Sequence, residues 1–439
     1  MRHSLIAFLF VIFSGFQVAF GQEEVSLEQV VALALEKNYD VLIAKNVSET
    51  ASTNDGYVVG AFLPQISAEA ATIWNDNEQN LRFQDASRNN SGEAQSNNIT
   101  GSVQLVWTLF DGTRMFATRE RISQLAEQGE LQVRDQMVNT IAQIIINYYD
   151  IVRQKQQLKA IQEQMSVSEE RVKLAEKKLQ VGTGIRPELL QAKVDYNAQR
   201  TQVLQQETMI AQLKEQLNNI VGMQLPAVYD VADTILIDLD LQPDDSFVNL
   251  DNTNYSLLSA RRNLNIAALS LRERRAEYLP FFNFNAAYNF SRNDNTKQIN
   301  PFGPVYNRTE GFNYGFSVSI PILTGFNTRR QTQLAKIEID RQQLLYNQQR
   351  NTINVALKNA FINYDNAKKI LLIEEETITL AKENVFIALE SFKRGVNTFI
   401  ELRTAQQSLA EAYSRLISAR YNAKLAETEL LRLNGSLLQ

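Results

Sequence analysis

Residues 311–322 read GFNYGFSVSIPI, and their alternation decides the class of fold. Aromatic and aliphatic side chains occupy every second position from Phe312 to Ile322, and Gly, Asn and Ser stand at most of the positions between them. A period of two indicates a β-strand with one apolar and one polar face. A soluble sheet packed on one side has the same period. An aromatic face opposite an Asn/Ser/Gly face over this length also fits a tilted membrane crossing beside water, so we predict a membrane strand at about 311–323.

Three further segments show the same alternation. They lie at about 281–291, 98–109 and, more weakly, 65–75. The polar stretches between the members of each pair, near 76–97 and 292–310, predict long exposed loops. Four strands cannot close on themselves, and an open sheet edge cannot face lipid. We therefore expect copies of the chain to close the sheet together.

The chain contains an internal repeat. Landmarks of the first half return in the same order in the second half: Asn38 and Asn254, Pro64 and Pro280, Gly112 and Gly325, Asn147 and Asn363, Gly182 and Gly395, Glu188 and Glu401, and Gly222 and Gly435. Repetition in order over most of the chain indicates duplication of one structural unit. We predict a first repeat at 22–224, an Asp-rich linker at 225–247 and a second repeat at 248–439.

Long coiled-coil helices make up the rest of each repeat. We predict helices at about 114–180 and 188–221 in the first repeat, and at about 327–394 and 399–434 in the second. The long helices contain no Pro and carry apolar residues seven apart, which is typical of coiled coils. These residues are Leu158, Met165, Val172 and Leu179 in the first repeat, and Leu371, Ile378, Val385 and Phe392 in the second. The fold class is therefore mainly α with membrane β, in a duplicated unit of antiparallel helices and two strand pairs.

Each long helix reverses at a short turn. The turns lie at 181–187 and at 395–398. Pro187 suits the first position of a helix, and Thr398 with Glu401 has the spacing of a capping box. Because the turns hold matching positions in the two repeats, we expect both tips at one end of the molecule, remote from the strands.

Composition excludes most enzyme chemistry. The chain has no Cys, and its single His is His3. Residues 1–21 predict a secretory signal peptide, with Ala19 and Gly21 before the cleavage position; an uncleaved membrane anchor is the alternative. The mature chain would then have neither imidazole nor thiol, so we predict no enzyme activity and no catalytic, cofactor-binding or metal-binding residues. With 44 basic against 49 acidic residues, it also lacks the charge of a nucleic-acid-binding protein.

Several motifs resemble those of one protein family. They are Leu63-Pro64 and Leu279-Pro280, the turn segments Gly182–Ala192 and Gly395–Ala405, and Ala419–Asn422 leading to Gly435. In this order and in duplicate, they make the chain similar to TolC-type outer-membrane efflux proteins over essentially all of the mature sequence. The resemblance implies a homotrimer, in which an α-helical tunnel through the periplasm joins a shared outer-membrane β-barrel of about twelve strands.

The resemblance also implies a function and partners. The trimer would lie in the outer membrane of a Gram-negative bacterium, in contact with its lipid, and would export small molecules or secreted proteins as the exit duct of a tripartite pump. It would dock on a periplasmic adaptor (membrane fusion) protein, which joins it to an inner-membrane pump of the RND, ABC or MFS type. No cofactor and no nucleic acid is implied.

Candidate site residues follow from the family pattern. Adaptor docking would use the two turns, at Gly182, Thr183, Gly184, Ile185, Gly395, Val396, Asn397 and Thr398. Glu188 and Glu401 match acidic positions where family members constrict the tunnel, but Thr404 stands at a second acidic position and Asn397 where a basic residue can occur. Pro64 and Pro280 mark the junctions between helix and strand.

Two alternatives explain part of the pattern. A soluble extracytoplasmic coiled-coil scaffold accounts for the signal peptide and heptads but leaves the amphipathic strands unexplained. A periplasmic adaptor would carry one helical hairpin rather than a duplicated pair. Extraction with outer membranes as an oligomer would separate both from a channel.

Overall fold

The computed structural model contains two compact units. It describes residues 23–223, 225, 229–241, 250–300, 302–394, 396 and 398–438. Described residues within 1–46, 131–258 and 349–439 form the helical unit, and those within 47–130 and 259–348 form the strand unit. The signal peptide predicted at 1–21 lies outside the described residues, as do parts of the predicted linker.

Strands and helices alternate in the duplicated order that the sequence predicts. The strands are β1 (Glu23–Glu24), β2 (Gln65–Leu81), β3 (Asn90–Asp111), β4 (Tyr229–Asp230), β5 (Phe281–Lys297) and β6 (Tyr306–Ser319). The α-helices are α1 (Leu27–Lys37), α2 (Tyr39–Tyr57), α3 (Arg114–Gln180), α4 (Arg186–Val221), α5 (Leu250–Thr253), α6 (Tyr255–Ala276), α7 (Asn327–Lys393) and α8 (Phe399–Asn434). Helices α3 and α7 have 67 residues each, so each is on the order of 100 Å long.

The strand unit contains one antiparallel sheet. Its order is β2-β3-β5-β6, which makes β2 and β6 the edge strands of the described sheet. The register places aromatic residues opposite one another on one face, as in Phe284 with Phe316, whose ring centroids are 5.2 Å apart. The other face pairs polar or small residues, such as Asn285 with Gly315. The two faces therefore differ in the way the alternation predicts.

The strands extend beyond their predicted ends on the side of the β2–β3 and β5–β6 connections, whereas β6 stops at Ser319, short of the predicted 323, because Pro321 has no N–H for a ladder. Most of 76–97 and 292–310, which the sequence predicts as loops, continues the ladders of β2 with β3 and of β5 with β6. Both faces are polar there, so the period-two signal disappears although pairing continues. Polar side chains bond across the strands instead, as Asn75 does with Ser96 and Gln95 with Asp76.

The helical unit is held together along the coiled-coil seams. In the second hairpin, the heptad residues Leu371 and Ile378 of α7 are buried against small residues of α8, including Ala412 and Ala419. Small side chains let the two backbones approach closely. The first hairpin differs, because its heptad residue Leu179 is exposed in the single chain.

A separate core joins α1, α3 and α4. Tyr148 lies within this core and is 2% exposed. Its hydroxyl donates to Val25 O at 3.0 Å and accepts from Ala232 N at 3.1 Å. One tyrosine thus fixes two chain segments against α3.

The predicted linker packs as a strap, defined here as residues 229–241. Its alternating residues Ile237, Leu239 and Leu241 contact three successive apolar clusters of the helical unit. Long side chains of the helices also bind its backbone: Lys155 donates to Val231 O, Lys214 to Tyr229 O, Tyr364 to Asp238 O and Lys368 to Leu239 O. The strap therefore joins the two repeats by packing and not only by connectivity.

A buried acid lies beneath the strap. Glu427 accepts a hydrogen bond from Asp238 N at 3.2 Å and from Lys424 Nζ at 2.7 Å. Burial raises the pKa of Glu427, and the hydrogen bond from Lys424 opposes that rise. The hydrogen bonds satisfy a carboxylate that burial would otherwise destabilise.

In each repeat, an asparagine at the start of one helix binds the end of another helix, which is followed by a glycine. We call this arrangement the clamp. Asn38 Oδ1 accepts from Val41 N and caps α2, while its Nδ2 donates to Ile220 O at the end of α4. Asn254 makes the equivalent contacts, accepting from Leu257 N and donating to Leu433 O at the end of α8. Each amide thus satisfies orphan groups of two helix ends at once.

The glycine that follows each clamped helix has no room for a side chain. Gly222 and Gly435 have φ of +81° and +75°. An added Cβ would lie 2.5 Å from Lys37 O at Gly222, and 2.5 Å from Thr253 O at Gly435. Both positions therefore require glycine for conformation and for space.

We predict that Gly222→Ala and Gly435→Ala destabilise the protein more than Gly182→Ala. Gly182 has a similar φ of +79° but nothing within 4 Å of an added Cβ. All three changes introduce left-handed strain of about 1–2 kcal/mol, and the first two add overpacking of about 1–3 kcal/mol. Circular dichroism at 222 nm during heating in detergent measures the effect. Equal shifts in apparent Tm for all three variants would contradict the steric role of the clamp.

Candidate functional site

The first turn closes α3 onto α4 through its own backbone. Thr183 N and Gly184 N both donate to Lys178 O, at 3.0 and 2.9 Å. Gly182 takes the left-handed conformation, and Pro187 stands in the first turn of α4. The Thr183 hydroxyl also donates to Lys178 O, at 3.3 Å, so the turn is closed by hydrogen bonds within the chain.

The second turn uses a capping box. Thr398 N donates to Glu401 Oε2 at 2.8 Å, and Glu401 N donates to Thr398 Oγ1 at 3.3 Å. Val396 N donates to Ser391 O at 2.9 Å. The predicted docking residues Gly395 and Asn397 lie outside the described residues. The carboxylate of Glu401 is thus engaged in the start of α8.

Both turns expose branched apolar side chains. Val181 and Ile185 are 73% and 65% exposed, and Val396 and Ile400 are 77% and 71% exposed. We call these four residues the tip collar. Ile185 and Val396 are among the docking residues predicted from the sequence, whereas Val181, which lies in the predicted first turn, and Ile400 are not. Aliphatic residues on either side of a turn glycine could have indicated them.

Ion pairs join the two helical hairpins near their tips. Asp195 of α4 lies 3.1 Å from Arg171 Nη2 of α3 and 3.3 Å from Arg403 Nη2 of α8. Lys178 Nζ lies 4.8 Å from the ring centroid of Phe392. One carboxylate therefore links both helices of the first hairpin to the second hairpin, and the two tips lie side by side.

A cleft of about 520 Å³ lies beside this link. Helices α3, α4, α7 and α8 line it, and five glutamine amides contribute to its wall: Gln164, Gln199, Gln202, Gln406 and Gln407. The hairpins are thus separated here by an amide-lined gap instead of a continuous apolar seam. Asp195 and Arg403 connect them at its edge.

The structure places the predicted acidic residues at helix starts. Glu188 lies in the first turn of α4, and its N–H donates to Ile185 O at 3.2 Å. Glu401 forms the capping box of α8. The ion pair between hairpins uses Asp195, about two helical turns beyond Glu188. The sequence missed this pair because contacts between hairpins leave no periodic signal.

The predicted junction prolines stand immediately before strands. Pro64 precedes β2 and Pro280 precedes β5. Leu63 before Pro64 is extended, with ψ of 153°, as expected for a residue that precedes proline. Each Leu-Pro pair thus ends a helical segment and starts a strand.

No group of three or more His, Cys, Asp or Glu residues that could hold a metal ion occurs in the described ranges.

Within the described part of the chain, no helix combines the length and the apolar character that a membrane span requires.

Comparisons with known proteins agree with this architecture. The profile of the family described as outer membrane efflux protein matches residues 30–223 and 249–436. The chain is 21% identical to outer membrane protein TolC of Vibrio cholerae serotype O1, over 86% of this chain and 83% of that protein. It is 23% identical to alkaline protease secretion protein AprF of Pseudomonas aeruginosa, over 76% of this chain and 69% of that protein.

Solved structures share the fold. A crystal structure of CusC superposes with a TM-score of 0.77 over 94% of this chain and 93% of that chain, at 15% sequence identity. This likeness concerns the fold alone, and it confirms the predicted class of long helices combined with antiparallel strands.

These matches span both repeats and settle what kind of protein this is. It is an outer-membrane exit duct of an efflux or secretion system, with helices that extend into the periplasm, and it operates with other components of such a system. The family consists of ducts and not of enzymes. The chain belongs to the outer membrane efflux protein family.

Proposed function

We propose that three copies of this chain assemble into one duct, with a shared membrane barrel and a continuous helical tunnel. The observation that carries the proposal is the open sheet, in which β2 and β6 are edge strands of the described structure. In lipid, the backbone groups of both edges need protein partners. Pairing of β6 in one copy with β2 in the next supplies them.

The number of strands favours a trimer over a dimer. Each chain contributes a sheet of four strands. Two copies give about eight strands, whose side chains fill the interior, whereas three give about twelve and leave a lumen. A duct requires the lumen.

Exposed apolar residues of the helices support the same assembly. Leu344, Ile362, Ile373 and Leu380 of α7 are between 60% and 68% exposed in the single chain. Several exposed aliphatic side chains along one long helix are unfavourable in water. We expect neighbouring copies to cover them.

We predict that the protein runs as a trimer in detergent. Native mass spectrometry of the mature protein extracted from outer membranes gives the stoichiometry directly. Only monomers or dimers under conditions that preserve its circular dichroism would contradict the closed barrel.

Membrane placement predicts opposite outcomes for neighbouring residues of β6. Phe316→Arg places a charge on the aromatic face and should cost about 2–4 kcal/mol near the midplane of the bilayer. Ser317→Arg, the matched control on the other face, should leave assembly intact and reduce single-channel conductance. Trimer yield from membranes and conductance in planar bilayers test the pair. Equal assembly of both variants would favour a soluble sheet.

The tip collar is the proposed docking surface for a periplasmic adaptor. Four exposed aliphatic side chains at the end of two rigid turns form a surface that a partner can bury at low entropic cost. In a trimer the two turns alternate, which gives about six similar tips around the end of the tunnel. The adaptor would connect this end to an inner-membrane pump of the RND, ABC or MFS type, which supplies the energy for export.

We predict that Ile185→Asp combined with Val396→Asp abolishes export but not assembly. Burying each aliphatic side chain is worth about 1.5–3 kcal/mol, so binding to the adaptor should fall by about two orders of magnitude or more. Drug susceptibility of cells and trimer yield are measured together. Thr201→Asp adds a charge to the exposed surface of α4, about 24 Å along the helix from Ile185, without removing an apolar side chain, and should retain export. Full export by the double variant would contradict docking at the collar.

A further inference from the structure

Two arginines face each other where the aromatic face of the sheet ends. Arg292 of β5 and Arg308 of β6 are direct partners in the antiparallel ladder. Tyr288 and Phe312, four residue pairs away along the same ladder, are also direct partners. Because residues two apart along a strand share a face, both arginines lie on the aromatic face, beyond its last purely apolar row.

The same three-residue pattern surrounds each arginine. Along either strand an aromatic residue, an arginine and an acid follow one another at every second position: Phe290, Arg292 and Asp294 in β5, and Tyr306, Arg308 and Glu310 in β6. The Arg292 guanidinium carbon lies 5.6 Å from the Tyr306 ring centroid, and that of Arg308 lies 5.5 Å from the Phe290 ring centroid. Each arginine therefore stacks on the aromatic residue of the opposite strand. We call these six residues the arginine patch.

The row that contains Asp294 marks the membrane interface. Asp294 pairs with Tyr306 on one side and with Asn97 on the other, and Asn97 pairs with Trp74. Trp74 is 72% exposed and Tyr306 is 53% exposed. Tryptophan and tyrosine are enriched where membrane strands meet the headgroups. The patch thus stands at headgroup level.

The chemistry of the patch suits an anion with several oxygens. Like charges directly opposite one another destabilise a sheet. Asp294 Oδ2 lies 2.8 Å from Arg292 Nη2, and Glu310 Oε2 lies 2.9 Å from Arg308 Nη2. Each guanidinium has five N–H donors in a planar fork, more than one carboxylate can accept. Stacking on the aromatic rings orients both guanidinium planes. A phosphate between them could therefore accept hydrogen bonds from both arginines.

The position of the patch identifies the leaflet. It lies toward Lys297 and Tyr306, away from Phe281 and Ser319, where the strands approach α6 and α7. With the helices in the periplasm, this end faces the outside of the cell.

We propose that the arginine patch binds the phosphate of a glycolipid headgroup in the outer leaflet. The proposal rests on the membrane placement of the sheet proposed above. Bound lipid would hold the duct at a defined height. The paired carboxylates leave the patch without net charge, so recognition depends on the geometry of the two guanidiniums and not on a general attraction of anions.

Lipid binding by the full-length trimer tests the proposal. Wild-type protein, the double variant Arg292→Gln/Arg308→Gln and Arg88→Gln are placed in phosphatidylcholine nanodiscs and titrated with diphosphoryl lipid A, and native mass spectrometry counts bound lipids. Arg88 is the matched control, because it also stacks on an aromatic ring, Phe83 at 5.2 Å, but lies in the hairpin beyond the sheet. We expect about a tenfold loss of affinity for each arginine removed from the patch, and no change for Arg88→Gln.

Three outcomes would overturn the proposal. Equal lipid binding by the wild type and the double variant would show that the patch does not recognise phosphate. An equal loss with Arg88→Gln would indicate general electrostatics. Competition by inorganic phosphate at the concentration of the lipid would indicate a free-anion site. Failure of the wild type to enter nanodiscs would instead contradict the membrane placement, so the two proposals fail in different ways.

Discussion

Every backbone N–H and C=O of a strand within lipid needs a protein partner, because the hydrocarbon layer offers none. The described part of the chain carries four long strands in one sheet, in which β2 and β6 are the edge strands. The proposed pairing of β6 with β2 of the next copy would supply partners to both edges. The same assembly would cover the exposed aliphatic side chains of α7.

Duplication of the chain builds both hairpins from the same few kinds of contact. The clamp of Asn38 with the end of α4 recurs as Asn254 with the end of α8, and a sterically confined glycine follows each clamped helix. Because these contacts are repeated, the two hairpins are similar. They differ in the way their turns are closed. The first turn is closed by backbone hydrogen bonds to Lys178, and the second by the capping box of Thr398 and Glu401.

Periodic features of the fold were predictable from the sequence, and aperiodic ones were not. Alternation and heptads indicated the fold class, and family motifs indicated the function; the comparisons confirm both. The parts of the strands within 76–97 and 292–310 carry polar residues on both faces, so the sequence predicted them as loops. The strap looked like a linker because its packing depends on clusters formed by distant helices. The contact of Asp195 with Arg403 depends on the spacing of two hairpins, which no local pattern encodes. Docking at the turns remains a prediction, as does the role of Glu188 in a constriction.

The polar outer half of the sheet also bears on where cargo leaves the duct. From Asn75 to Leu81, β2 remains paired with β3 beyond the row of Trp74. At about 3.3 Å per residue, this segment extends roughly 20 Å along the strand. An amphiphilic molecule discharged at headgroup height would partition straight back into the leaflet beside it. With the sheet placed in the membrane as proposed, this hydrogen-bonded segment would move the point of discharge away from that surface, so that diffusion into bulk water competes better with recapture.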